Sequence, residues 1–288
     1  MSPSSRFVAV HDDRIVSSLL LTMIDLRFGG EMMKAGAIDG VATHPEHRRR
    51  GLARELLGQA LSFMEREQAD LGFLYTVPDT VPFSFYETAG YRELVRVRYL
   101  RHEDRQAGAG KTETDWRIAA PTGVQLEAYP ALLDRRFSAH WGYPSMTDGL
   151  WHWRRVARPG EFPVTVFKAN RELDPKEGDP QLVFSLGQAP IRKGGTKETM
   201  VMLNDVSAPG GLIVDAVHAM LAQAPNGVPV IHLCPDAHET DREAFLSAGF
   251  RESGLEACLV KPLSSRAEQA IRRPPPKWYV VTESVVGV

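Results

Sequence analysis

The chain has few cysteines, no excess of charge of either sign and no long apolar run. Its two cysteines, Cys234 and Cys258, cannot form a disulfide framework, and their apolar surroundings favour buried thiols in a reducing cytoplasm. The 34 basic and 36 acidic residues nearly cancel, so no global attraction to nucleic acid or to an anionic membrane is expected. No apolar stretch is long enough to cross a bilayer, and we expect no leader. The sequence therefore predicts a cytoplasmic protein without a membrane partner.

Composition and length indicate a globular protein of one large or two ordinary domains. Hydrophobic residues make up 43% and charged residues 24% of the 288 positions, which allows a sizeable core. Residues 104–115 are charged and glycine-rich without apolar periodicity, which is typical of a linker. The sequence thus predicts a first domain over residues 1–103, a linker over 104–115 and a second domain over 116–288.

The most informative stretch is VATHPEHRRRGLARELL at residues 41–57. A predicted strand at residues 36–43 runs into a basic loop, and leucines at helical spacing begin directly after Gly51. The first amides of a helix have no partner inside it and carry the positive end of its dipole. Gly51 lets a ligand approach the backbone, Ala53 keeps the helix start uncrowded, and three arginines add cationic side chains. This predicts a socket for a phosphate or diphosphate; the alternative is a basic helix start that binds nothing.

The spacing Arg48-x-x-Gly51-x-Ala53 resembles the acetyl-CoA loop of the GNAT N-acetyltransferases, and the surrounding stretch is most similar to tandem GNAT proteins of the Eis type. The P-loop and Rossmann motifs are absent. Eis-type proteins also carry a sterol-carrier-like C-terminal domain, which we expect this chain to lack. The resemblance implies acetyl-CoA as co-substrate, without a metal. It assigns cofactor contacts to residues of the strand and loop: Val41, Ala42, Thr43, Arg48, Arg49, Arg50, Gly51, Leu52 and Ala53.

A second motif, PFSFYETAGY at residues 82–91, resembles the late helix of GNAT proteins. Gly90 fits the left-handed position that closes a helix. The resemblance implies that Tyr86 contacts the cofactor and acts as general acid for the CoA thiolate. The alternative for Tyr86 is a core tyrosine that bonds a carbonyl.

Asp39 is the candidate base, or the anion that binds the amine. Strand alternation places it on the same face as Val41 and Thr43. GNAT proteins often have a carboxylate on this strand, though usually nearer the position of Ala37. A hydrogen-bonded strand aspartate remains the alternative.

The histidines give weaker signals. His44 and His47 flank the loop, where filling loop structure is favoured over a role as base or phosphate contact. His232 and Cys234 lie two residues apart on a predicted strand. Because no further potential metal ligands accompany them, they do not predict a metal site.

The two halves of the chain contain a repeat. FYETAGYRE at residues 85–93 parallels FLSAGFRE at residues 245–252, and the second copy has Phe245 in place of Tyr86 and no arginine in its loop at residues 208–211. The sequence predicts a mixed α/β protein of two tandem GNAT-like domains, each a mostly antiparallel sheet flanked by helices. The second domain is degenerate and structural or substrate-shaping. The first starts at the equivalent of the second GNAT strand, without the opening strand and helices that wall the acceptor pocket.

Together these features predict an N-acetyltransferase that moves the acetyl group of acetyl-CoA to a primary amine by direct attack. The expected acceptor is a small-molecule or peptide amine, and the oligomeric state is open, a homo-oligomer included. One alternative is a non-catalytic acyl-CoA-binding or regulatory module. Another is a nucleic-acid-binding protein that uses the arginine loop, which the absence of a longer basic stripe disfavours.

Overall fold

The structure is a computed structural model, and it describes residues 4–103, 115–119, 129–144, 164–170, 180–193, 196–208, 212–275 and 277–280. Apart from Asp115, the predicted linker lies outside the described residues, as do residues 209–211 of the second loop. Backbone proximity groups the chain into two compact units. The first is Met1–Arg96 with Ala139–Pro144 and Leu255–Val288, and the second is Val97–Ser138 with Ser145–Gly254.

The secondary structure is mixed. The strands of the described residues are β1 (Ser4–His11), β2 (Arg14–Phe28), β3 (Glu31–Thr43), β4 (Leu71–Thr76), β5 (Arg92–His102), β6 (Arg117–Ala119), β7 (Val164–Asn170), β8 (Leu182–Lys193), β9 (Thr196–Ser207), β10 (Val230–Pro235) and β11 (Arg251–Pro262). The helices are α1 (Leu52–Arg66), α2 (Val81–Thr88), α3 (Tyr129–Arg136), α4 (Ile213–Leu221), α5 (Glu239–Ser247) and α6 (Ser265–Ala270), with a 3₁₀ segment at Pro45–His47. Pairing is antiparallel except for β3 with β4 and β9 with β10. The predicted α/β class with mostly antiparallel pairing is confirmed.

In the first unit the strand order is β1, β2, β3, β4, β11. β1 to β3 are joined by tight turns at Asp12–Asp13 and Gly29–Gly30, where all four residues have positive φ. α1 connects the parallel strands β3 and β4, and its apolar stripe packs on one face of the sheet. The core there contains Leu19, Leu21, Ile38, Leu56, Leu57, Ala60, Met64, Phe83 and Tyr86.

In the second unit the strand order is β5, β10, β9, β8, β7, β6. α4 and α5 contribute to a core that includes Phe184, Leu203, Val217, Met220 and Phe245. Both cysteines are buried free thiols, as the sequence predicts. Among the described residues no helix combines the length and apolar character needed to cross a bilayer.

Each unit completes its sheet with the last strand of the other half of the sequence. In the first unit β4 pairs with β11, from Thr76 opposite Ala257 to Leu71 opposite Pro262. In the second unit β10 pairs with β5, from Val230 opposite His102 to Pro235 opposite Val97. The domain boundaries at 103 and 116 stay a prediction, but the compact units are not consecutive in sequence, because these antiparallel partners come from opposite halves.

The predicted repeat has a structural counterpart at the ends of α2 and α5. Gly90 and Gly249 both adopt positive φ, +88° and +94°, just after these helices. The amide of Tyr91 donates to the carbonyl of Tyr86 at 3.1 Å, and the amide of Phe250 donates to that of Phe245 at 3.1 Å. These are the bonds of a Schellman-type helix end. Duplication of whole tandem domains stays a prediction.

Candidate functional site

β3 and β4 pair only over a short stretch, which leaves an open edge on β3. Their pairing ends with Ala37 opposite Phe73, although β3 continues to Thr43 and β4 to Thr76. On its other side β3 stays paired with β2 as far as Ser17 opposite Thr43. Within residues 31–76, all of which the structure describes, the edge of β3 at residues 38–43 that faces β4 therefore has no strand partner. Unpaired peptide groups of this kind are available to an extended ligand.

A β-bulge re-aims the side chains on this part of β3. Leu20 lies opposite Asp39 and Ser18 opposite Ala42, so two residues of β3 face one of β2. Gly40 supplies the positive φ, +57°, and its amide donates to Oδ1 of Asp39 at 2.6 Å. Val41 packs against the core that contains Ile38. The predicted common face of Asp39 and Val41 is therefore wrong, because the bulge breaks the two-residue period between them.

The arginines of the loop do not all point the same way. Arg48 donates through Nε to the carbonyl of Thr43 at 3.1 Å, and Arg50 donates to the carbonyl of Glu46 at 3.0 Å. These bonds hold the 3₁₀ segment between β3 and α1. Arg49 has φ +62°, is exposed, and makes no side-chain hydrogen bond or ion pair with any described residue. Arg49 thus presents its guanidinium to solvent.

The start of α1 is open. Gly51 caps the helix with φ +82°, no side chain caps its amides, and a Cβ at Gly51 would meet no atom within 4 Å. Leu52 and Ala53 follow in the first turn and are half-buried. The uncapped amides carry the positive end of the helix dipole, so this end of α1 can accept an anion.

Tyr86 and Asp39 lie within electrostatic range of each other. Tyr86 is 7% exposed, and its ring contacts Phe85 and Tyr91 edge-on at centroid distances of 5.0 and 5.8 Å. Burial and then the charge of Asp39 raise the pKa of Tyr86 to about 12. At neutral pH Tyr86 therefore keeps its phenolic proton. No hydrogen bond joins the Tyr86 hydroxyl to a carbonyl of the described residues, and the alternative of a carbonyl-bonded core tyrosine stays untested.

Sequence reasoning missed Tyr75, which belongs to the same region. Asp39 and Tyr75 each lie two residues beyond the Ala37–Phe73 pair, so strand alternation places them on one face of the sheet, across the opening. Trp278 Nε1 donates to the Tyr75 hydroxyl at 2.9 Å. The register of two parallel strands was the signal that could have found Tyr75; nothing local predicts Trp278.

The structure supports structural roles for the second-half candidates. His232 stacks on Phe245 at 4.1 Å, and its Nδ1 lies 3.0 Å from the carbonyl of Leu203. Burial lowers the pKa of His232 to about 4. Phe245, which replaces Tyr86 in the repeat, is fully buried. Within the described part of the chain no three His, Cys, Asp or Glu side chains are grouped as metal ligands.

One family model matches the first part of the chain. Residues 1–94 match the family model of the acetyltransferase (GNAT) domain, which confirms the predicted resemblance for that region. No curated protein matches the sequence.

Solved structures share the fold at low identity. A GCN5-related N-acetyltransferase from Anabaena variabilis is 14% identical, with a TM-score of 0.62, over 90% of this chain and 63% of its own. N-myristoyltransferase from Saccharomyces cerevisiae, solved with myristoyl-CoA, is 11% identical, with a TM-score of 0.65, over 94% of this chain and 74% of its own. Eis1 from Mycobacterium abscessus is 14% identical, with a TM-score of 0.54, over 92% of this chain and 66% of its own. The tandem organisation and the lack of a further domain stay predictions.

Proposed function

We propose that this protein is an acyl-CoA-dependent N-acyltransferase that transfers an acetyl group from acetyl-CoA to a primary amine. The observation that carries the proposal is that the open edge of β3 and the uncapped start of α1 adjoin the same loop. An extended pantetheine arm needs free peptide groups, and a diphosphate needs amides and cations. The GNAT match over residues 1–94 supports this combination.

The cofactor would lie along the edge of β3 and end at α1. The backbone of Val41 and Thr43, with Ala42 between them, would bond the pantetheine arm. The amides from Gly51 to Ala53, including Leu52, would bind the diphosphate. Arg49 would add a direct ionic contact, while Arg48 and Arg50 would keep the loop in shape through their bonds to Thr43 and Glu46.

The reaction would be a direct transfer. The amine nitrogen attacks the thioester carbon, and its proton passes to Asp39. An amide near Val41 stabilises the tetrahedral oxyanion, in the manner of an oxyanion hole. When the C–S bond breaks, the Tyr86 hydroxyl gives its proton to the sulfur; solvent then takes the proton from Asp39 and returns one to the phenolate. The raised pKa of Tyr86, about 12, keeps that proton in place until it is needed.

The proposal is tested by calorimetric titration with CoA and by thiol release from acetyl-CoA across a panel of small and peptide amines. Replacing Arg49 by Glu puts a carboxylate beside the diphosphate, so we expect CoA affinity to fall by roughly tenfold or more. The control is Arg272→Glu, the same change of charge at another exposed arginine of the first unit. Equal loss in both variants would contradict the loop assignment. Tight CoA binding without turnover of any amine would leave a non-catalytic acyl-CoA-binding module.

A further inference from the structure

Three imidazole rings meet beside the cofactor loop. His11 ends β1, His44 follows β3, and His47 lies in the 3₁₀ segment directly before Arg48. The rings of His11 and His47 are 5.0 Å apart, and those of His44 and His47 are 5.8 Å apart, both edge-on. The cluster joins elements that are far apart in sequence.

Backbone bonds fix this arrangement. His11 pairs with Arg14 across the β1–β2 hairpin. The amide of His44 donates to the carbonyl of Val16 at 2.8 Å, and the amide of His47 donates to the carbonyl of His44 at 2.9 Å. The side chains of His11 and His44 remain 58% and 53% exposed, so an anion can reach the cluster from solvent.

The carboxylates near the cluster pair with its two outer rings and not with the central ring, His47. Asp12 lies 3.5 Å from His11, and Glu46 lies 4.0 Å from His44. His47 forms no ion pair with a described residue. Burial, then the charge of Arg50 and the nearby rings of His11 and His44, lower the pKa of His47, while Glu46 opposes them. His47 is therefore neutral at pH 7, and a nearby dianion would favour its protonation.

We propose that His11, His44 and His47 form a phosphate subsite that takes the 3′-phosphate of CoA and binds it with uptake of a proton. This inference rests on the function proposed above. The start of α1 accounts for the diphosphate, four residues beyond His47, and leaves the remaining phosphate of the cofactor without a partner. A monoester phosphate carries nearly two charges and accepts several hydrogen bonds. An imidazolium between two further imidazoles matches that demand, because each ring can turn an N–H toward one oxygen.

The test is calorimetric titration of the full chain with CoA and with dephospho-CoA at pH 8 and pH 6, in buffers of different ionisation enthalpy. For the unaltered protein we expect CoA affinity to rise about tenfold toward pH 6, with proton uptake, since each charge-assisted hydrogen bond contributes on this order. Dephospho-CoA should show neither effect. His47→Gln should remove most of the rise and the uptake, because the amide cannot take a proton.

The control is His218→Gln, a half-buried histidine on α4, which should behave like the unaltered protein. CoA affinity that does not change with pH, or proton uptake that persists in His47→Gln, would overturn the subsite while leaving the proposed function intact. A chain that binds no CoA at either pH would overturn both.

Discussion

Tyr86 and Asp39 form a pair whose roles depend on each other. Burial, and then the charge of Asp39, raises the pKa of the Tyr86 phenol to about 12, so Tyr86 stays protonated at neutral pH. The proposed reaction removes one proton and supplies another, and a phenol that keeps its proton suits the second step. The neighbouring Tyr91 differs from Tyr86 in its burial and in the cause of its pKa shift. It is 2% exposed, its hydroxyl has no partner among the described residues, and burial, then Tyr86, raises its pKa.

These differences give a matched pair of tyrosine variants. Tyr86→Phe removes the proposed acid, so we expect thiol release to fall by about 100-fold while acetyl-CoA affinity changes by less than about twofold. Tyr91→Phe removes a hydroxyl that bonds no described residue, so turnover should be kept and the free energy of unfolding unchanged or slightly higher. Steady-state kinetics and calorimetry on both variants measure this. Similar losses in the two would show that Tyr86 acts through packing. In the unaltered protein, the proposed activity should not fall from ionisation of Tyr86 below about pH 11, given its pKa of about 12.

Local signals predict α1 and its loop well, because each depends on neighbours in sequence. Gly51, the leucines and the arginines mark the start of α1, and the structure begins it at Leu52. The bulge at Gly40 could not be predicted in this way, since alternation assumes one residue of β3 for each residue of β2. Tyr75 and Trp278 meet through pairing between distant strands, which the sequence does not specify locally. Sequence reasoning therefore predicts the start of α1, but it does not predict the bulge in β3 or the contact between Tyr75 and Trp278.

Glycines on α1 and β3 show how closely this helix packs on the sheet. A Cβ at Gly36 would lie 2.4 Å from Sδ of Met64 and 2.9 Å from Cδ1 of Leu21. Gly36→Ala should therefore lower the free energy of unfolding by about 1–3 kcal/mol through overpacking. Gly58 lies on the exposed side of α1 with no atom within 4 Å of an added Cβ, so Gly58→Ala should raise it by up to about 1 kcal/mol. Urea unfolding of both variants checks the pair, and a stable Gly36→Ala would contradict the close packing.

The first unit is held together by contacts between the first and the last third of the sequence. β11 supplies the antiparallel partner of β4, and the residues after it return to the end of α1. The amides of Leu263 and Ser264 both donate to the carbonyl of Asp70, at 2.7 and 3.0 Å. Arg266 donates to both carboxylate oxygens of Asp70, through Nε at 2.6 Å and through a second nitrogen. The first unit therefore needs the segment after β11 to hold the end of its sheet in place.

Asp70 is the residue whose removal tests this closure. It is 5% exposed, and burial alone would raise its pKa, but bonds from Arg266, Ser264 and the Lys34 amide, with the charge of Arg266, lower the pKa overall. A carboxyl whose pKa is lower in the folded than in the unfolded chain stabilises the fold above about pH 4, and loses that effect as pH falls through the folded value.

Asp70→Asn should therefore lower the free energy of unfolding at pH 7 by about 1–3 kcal/mol, because Arg266 loses a charged partner. Since the unaltered protein loses the same interaction in acid, the difference between the two should shrink below about pH 4. Urea unfolding followed by circular dichroism at pH 7, 4 and 3 measures it. Glu67→Gln is the control, as Glu67 is exposed and bonds Lys34 at 3.3 Å, and it should change stability by less than about 0.5 kcal/mol. If Asp70→Asn lowered the free energy of unfolding equally at all three pH values, the effect would be one of packing. The ion pair with Arg266 would then not be what stabilises the first unit.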